Sequence, residues 1–182
     1  MDERARMPAG ESDLPPERKA FQAGGKTIVP VRPEPEDLWF REALLGDPET
    51  MSYNRAWGGT IPFPESRWEE WYTHWVLHHE NKRFYRYLRD TETDAFVGEI
   101  AYHLDEKQGI WLADVIIAAK YRGRGFGTAG LRLLCEAARE KGIDVLRDDI
   151  AADNPALKLF LRAGFTEEYR TETIIMLMKK LS

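Results

Sequence analysis

The chain has 182 residues, 43% of them hydrophobic, with six tryptophans; that suffices for one well-buried core and is too short for two comfortable domains. A formal charge of −5 disfavours general binding to nucleic-acid backbones, so no DNA or RNA partner is expected. The single cysteine, Cys135, excludes a disulfide framework or a cysteine metal site within one chain, and no stretch approaches the ~20 apolar residues that span a bilayer.

Residues 1–25 mix charge with Pro8, Pro15, Pro16, Gly24 and Gly25 and have neither helical nor strand periodicity. They read as a flexible N-terminal tail before a folded domain spanning 26–182. This charged, proline-containing start has no apolar signal-type segment, so a cytoplasmic location without membrane contact is expected. A first strand is predicted from Lys26 to Arg32 and a helix from Glu36 to Leu45, ended by Gly46-Asp47-Pro48. The Gly-, Pro- and aromatic-rich stretch Met51 to Pro64 suits an ordered loop of the kind that lines binding sites. Ser66 and Glu69 form a capping-box pattern, and Trp68, Trp71, Tyr72 and Trp75 then recur at helical spacing. This aromatic stripe is expected to pack on a sheet rather than to form a substrate cage.

Phe84 to Asp90, Ala95 to Leu104 and Trp111 to Ile117 read as three strands joined by short polar turns, an antiparallel meander. Leu131, Leu134, Cys135 and Ala138 mark an amphipathic helix from Thr128 to Lys141, with Gly142 as its stop. Val145 to Ile150 is the next strand, and the strand–helix–strand passage from Trp111 to Ile150 requires a right-handed crossover between parallel neighbours. Asn154 and Pro155 open another helix that Gly164 ends, and Phe165 to Tyr169 with Thr173 to Lys179 closes the chain as a hairpin-like pair.

The run Arg122-Gly123-Arg124-Gly125-Phe126-Gly127 lies between strand and helix. Its glycines let the backbone turn tightly and expose N–H groups, the helix adds its positive N-terminal end, and two arginines add charge. Such a loop suits a phosphorylated cofactor. The spacing resembles the Q/R-x-x-G-x-G/A signature of the GNAT superfamily of acyl-CoA-dependent N-acyltransferases, with Arg122, Gly125 and Gly127 at the fixed positions. Asp153-Asn154-Pro155-Ala156, followed by Leu157, Phe160 and Ala163-Gly164-Phe165, is similar to the family's second cofactor element. Together the two motifs carry a resemblance covering roughly residues 26 to 181.

That resemblance implies an α/β fold: a mixed, mostly antiparallel central sheet with a parallel, splayed strand pair and flanking helices. It implies acetyl-CoA as donor and an amine, of a small molecule or a peptide, as acceptor. The cofactor's pyrophosphate would lie across the amides of Arg122, Gly123, Arg124, Gly125, Phe126, Gly127 and Thr128. Its pantetheine arm would run beside Ile116, Ile117 and Ala118 like an added strand. Asn154 would hydrogen-bond that arm, Lys158 would reach a phosphate, and Phe160 would stand where many relatives have a tyrosine that protonates the thiolate. With no hydroxyl at position 160, the general acid is open among Tyr121, Tyr169, Tyr102 and water, or departure without protonation. For the base that deprotonates the amine, the candidates are Glu99, Asp114 and Asp148-Asp149; Asp148 replaces a usually apolar residue, and alternation sends it and Asp149 to opposite faces.

Two rival classes share these residues. Gly125-Phe126-Gly127-Thr128-Ala129-Gly130 matches the G-x-G-x-x-G dinucleotide fingerprint, with Asp148 near the expected ribose-binding acid, although the strand ends too early and no Walker lysine follows. A non-catalytic acyl-CoA-binding module would explain Phe160. His74 and His78 have helical metal-pair spacing but no zincin glutamate and no third ligand, so no metal is expected. An antiparallel sheet edge would support a homodimer.

Overall fold

The computed structural model describes residues 20–23, 26–79 and 81–182. Eight strands form one sheet: β1 (Phe21–Ala23), β2 (Lys26–Val31), β3 (Arg83–Asp90), β4 (Phe96–Asp105), β5 (Ile110–Ile117), β6 (Val145–Ala151), β7 (Thr166–Arg170) and β8 (Ile174–Lys180). Their spatial order is β1-β2-β3-β4-β5-β6-β8-β7, and every neighbouring pair is antiparallel except β5 and β6. The meander β3-β4-β5 and the closing pair β7-β8 follow the predicted strands to within a residue or two. Of the expected tail, residues 1–19 and 24–25 lie outside the described residues. Phe21–Ala23 departs from that expectation, because it pairs with β2 as a short hairpin arm.

Helices cover both faces. The stripe of α3 (Phe126–Glu140) buries Leu131, Leu134, Cys135 and Ala138 against Ile100, Leu146 and Leu177 of the sheet. On the other face α1 (Leu38–Gly46) and α2 (Trp68–Tyr72) bury Leu38, Leu44, Leu45 and Tyr72 over Tyr85, Tyr87 and Ala101. The predicted helix over Glu36 to Leu45 is preceded by a 3-10 turn at Pro35–Asp37, where proline fixes the backbone before the regular helix begins. The first half of the predicted loop, with Thr50 before it, winds as a 3-10 helix over Thr50–Trp57, and α2 widens into a π-helical turn at Thr73–Leu77. The short α4 (Leu157–Arg162) packs against α3, where Leu159 stands over Gly127. No helix among the described residues is long and apolar enough to cross a membrane.

The dinucleotide reading fails at this level. A doubly wound fold needs a run of parallel strands, whereas the described residues contain the single parallel pair β5/β6. Gly130, the last glycine of that fingerprint, is a packing residue: a Cβ there would come within 2.7 Å of Leu88 Cδ1.

Gly98 on β4 holds β5 at close range, since a Cβ there would lie 2.3 Å from the Ile116 carbonyl oxygen and 2.7 Å from Ile117 Cδ1. A backbone atom cannot yield cheaply to an added methyl group. Gly98→Ala is therefore expected to destabilise the fold by roughly 1–3 kcal/mol in chemical denaturation; an unchanged midpoint would show that β5 has slack.

Candidate active site

β5 and β6 pair at Trp111↔Leu146 and Leu112↔Arg147 and nowhere beyond, although β5 runs on to Ile117 and β6 to Ala151. Each is held by its other neighbour: β5 pairs with β4 out to Gly98↔Ile117, and β6 pairs with β8 out to Ala151↔Ile174. The two strands thus part like the arms of a V. A cavity of about 1010 Å³ occupies the gap, lined by Asp114 to Ile117 on one arm and Asp148 to Ile150 on the other. Its size suits a cofactor-sized ligand.

The open end of the V is the glycine loop. Gly123 and Gly125 take φ of +75° and +85°, the left-handed region that glycine enters without strain. The Arg122 N–H bonds to Ala119 O at 3.1 Å, and the first bond into α3 is Ala129 N–H to Gly125 O at 3.1 Å. Between them, the amides of Gly123 to Thr128 have no acceptor among the described residues. Unpaired amides at a helix N-terminus form an anion site.

Arg122 does something the motif alone did not reveal. Its guanidinium donates to three carbonyls: Ile117 O at 3.2 Å, Glu49 O at 3.2 Å and Thr50 O at 2.5 Å. Thr50 in turn accepts the Ala119 N–H at 2.9 Å and donates to Asp47 Oδ2 at 2.5 Å. Arg122 is thus a strut that ties the loop to the Thr50–Trp57 segment, whereas Arg124, likewise exposed, lies beside the Tyr121 ring.

From α4 and the turn before it, Asn154 and Phe160 line the cavity, whereas Lys158 is exposed outside the lining. Asn154 is buried and its Oδ1 accepts the Ala156 N–H at 2.9 Å. Phe160 stands edge-on to Phe165, with centroids 5.1 Å apart. None of the tyrosines proposed as acid lines the cavity. Tyr102 stacks on Phe84 in the α3-side core, where burial pushes its phenol up to about 12; Tyr121 packs edge-on to Phe126, and Tyr169 is exposed on β7. Tyr53 and Tyr85 occupy the cavity wall instead.

The carboxylates divide by face. The register Glu99↔Ile116 and Ala101↔Asp114 sets Glu99 and Asp114 under α1 and α2. Glu99 is buried and accepts hydrogen bonds from Arg41 and from the Tyr85 hydroxyl, while the Arg41 guanidinium lies 4.5 Å over the Trp71 ring. Arg41 had no sequence signal, because its partner is 58 residues away. Trp71 and Trp75 correct the packing-only reading of the aromatic stripe: they stack 6.1 Å apart, pack edge-on to Tyr85 and also line the cavity. Asp114 is half-exposed, its Oδ2 3.6 Å from His103 Nδ1. Asp148 points to the α3 face with Leu146 and Ile150, is 9% exposed, and makes no side-chain hydrogen bond among the described residues. Burial first, then the charges of Asp114 and Asp149, push its carboxyl well above the ordinary carboxylate range. Asp148 and Asp149 point to opposite faces yet share one cavity, because the parted strands let it pass through the sheet. Cys135, its thiol pushed up by burial, lies outside the lining.

The sequence profile of the acetyltransferase (GNAT) family matches residues 46–165, which include β3 to α4 and both cofactor motifs. The chain belongs to the GNAT acetyltransferase family. This GNAT chain is 20% identical over 123 residues to an uncharacterised N-acetyltransferase of Methanocaldococcus jannaschii, a match covering 65% of the chain and 54% of the relative, so it spans about half that relative's length. In fold it is similar to the spermidine N-acetyltransferase of Vibrio cholerae solved with CoA and spermine (TM-score 0.68, 20% identity, 85% of this chain and 95% of that one). It is likewise similar to the GNAT domain of S. lividans PAT (TM-score 0.66, 19% identity, 85% and 90%).

Two outcomes follow for the GNAT site. Asp148 binds its proton more tightly when folded than when unfolded, so native stability falls as pH rises above the unfolded value of ~3.9 toward the folded one. Asp148→Leu should remove that slope and add roughly 1–3 kcal/mol at pH 8, measured by urea denaturation at several pH values; parallel stability curves would contradict it. Arg122→Lys cannot span three carbonyls and should loosen the loop, read as faster hydrogen exchange at Ala119 and Ala129; unchanged exchange would refute the strut.

Proposed function

We propose that this GNAT domain transfers the acetyl group of acetyl-CoA to a primary amine on a cationic small molecule or peptide by direct attack, without an acyl-enzyme. The observation that carries the reading is the V between β5 and β6 opening onto six unpaired loop amides. The diphosphate would sit on the amides of Gly123 to Thr128, with Arg124 and Lys158, both exposed outside the cavity lining, adding charge. The pantetheine arm would take the strand position that β6 vacates beside Ile116 to Ala118, and the amide NH₂ of Asn154, whose Oδ1 is already engaged, would donate to it. Cys135 is buried away from the cavity, which favours direct attack over a thiol intermediate.

The α1/α2 half of the cavity would take the acceptor. Trp57, Trp71, Trp75 and Tyr53 supply aromatic wall, and Asp114 and Asp149 supply negative charge. A lysine-like amine, pKa ~10.4, must lose a proton before it attacks. Asp114, beside His103 and two residues past the last β5/β6 pair, is the base we assign, directly or through one water. Glu99 is held by Arg41 and Tyr85 and forms the floor. The spermine in the Vibrio cholerae structure supports a cationic acceptor.

Calorimetry with acetyl-CoA and NAD, followed by thiol release over an amine panel, tests the assignment. It predicts binding of acetyl-CoA alone and release of one thiol per acetylated amine, fastest with polycations. Asp114→Asn should lower kcat/KM by about 10²-fold or more, with Glu99→Gln read in parallel. Tight cofactor binding with no release over the whole panel would make the protein a non-catalytic acyl-CoA module.

A further inference from the structure

A thiolate leaving its acyl carbon needs a proton, and few groups in the cofactor half of the cavity hold one that can be transferred. That half is walled by Val115, Ile117, Ile150, Leu159 and Phe160. Among its polar side chains, Asn154 has no acidic proton and Thr128 holds an alcohol proton far too tightly. Asp148 differs. It stands one step beyond the last β5/β6 pair, at the narrow end of the V, nine-tenths buried, facing the cavity and without a hydrogen-bond partner among the described residues.

The distances favour a meeting there. From Ala118, at the loop, back to Asp114 is four residues of extended strand, about 13 Å. A cofactor anchored by its diphosphate on the loop amides and extended along β5 therefore brings its thioester to the narrow end. We propose that Asp148 is the proton donor to the sulfur of coenzyme A, an inference that rests on the acetyltransferase reading above.

In the step, the amine nitrogen, already neutral after giving its first proton through Asp114 to water, bonds to the thioester carbonyl carbon and sheds a second proton; the C–S bond breaks with its electron pair going to sulfur, and sulfur takes the Asp148 proton. The second proton lost by nitrogen goes to Asp114 and then to water, and the Asp148 carboxylate regains one from solvent before the next turnover. The titratable groups that bear on Asp148 are Asp114 across the V, Asp149 on its own strand and Tyr53 from the 3-10 segment, while α4 brings Leu159, Phe160 and the Arg162 cation to the cavity wall. Burial first, and then the two neighbouring acids, hold its proton well above the ordinary carboxylate range, so that it has one to give.

The experiment compares wild type, Asp148→Asn, Asp148→Glu and Asp148→Asn/Phe160→Tyr in the full chain, by acetyl-CoA calorimetry and by thiol release against pH. Expected are equal cofactor affinities, a fall in kcat of at least tenfold in Asp148→Asn with little change in amine KM, and partial recovery in Asp148→Glu. The wild-type decline of kcat at alkaline pH should vanish in Asp148→Asn. A hydroxyl at position 160, in the same wall, should restore several-fold of the lost rate. Wild-type kcat in Asp148→Asn overturns the proposal, as does a loss confined to amine KM, which would make Asp148 an acceptor-binding charge. Binding of acetyl-CoA by none of the four proteins, or no thiol release by wild type, overturns the acetyltransferase reading and this inference with it.

Discussion

The site depends on the loss of pairing between β5 and β6 after Leu112. Inside a sheet, such a gap exposes backbone polar groups that another strand would normally satisfy. It persists because each arm is anchored outward: β4 holds β5 to its end, β8 holds β6 to its end, and Arg122 takes the Ile117 carbonyl at the tip. Both sides of the gap are therefore anchored, and an extended ligand that offers amides and carbonyls would complete it as a missing strand would.

The same gap explains the charge distribution. Where strands pair, alternation segregates residues to two faces; where they part, side chains of both faces share one space. Asp114 and Asp149 from one face and Asp148 from the other line the same cavity, and burial first, with the charge of Asp114 added, raises the carboxyls of Asp148 and Asp149 above their ordinary range. An apolar residue at 148 would pack more comfortably among Leu146, Ile150 and Phe160. Retaining an acid there at a cost in stability is how functional sites commonly depart from optimal packing.

Much of this was legible in the sequence, for identifiable reasons. The meander, the α3 stripe and the glycine loop are local patterns, and the crossover rule places β5 and β6 side by side. What could not be read depends on residues far apart in sequence. The Arg122 strut joins positions more than 70 residues apart, and the Arg41–Glu99–Tyr85 contact spans α1, β3 and β4. The stripe of Trp71 and Trp75 has the spacing of a core helix and does pack on Tyr85, yet its other edge lines the cavity; spacing reports the face, not what lies beyond it. Nothing local in the sequence marks Tyr102 as part of the opposite core or turns Tyr53, in a stretch of loop composition, toward the carboxylates.

The site rests on the main-chain amides of Gly123 to Thr128, which have no acceptor among the described residues and would together hold a diphosphate. Amide hydrogen exchange of the full chain, with and without coenzyme A, measures this directly. The account predicts fast exchange at these amides in the free protein and marked protection at all of them on binding. Slow exchange without ligand, or protection that appears elsewhere while these amides stay fast, would contradict it.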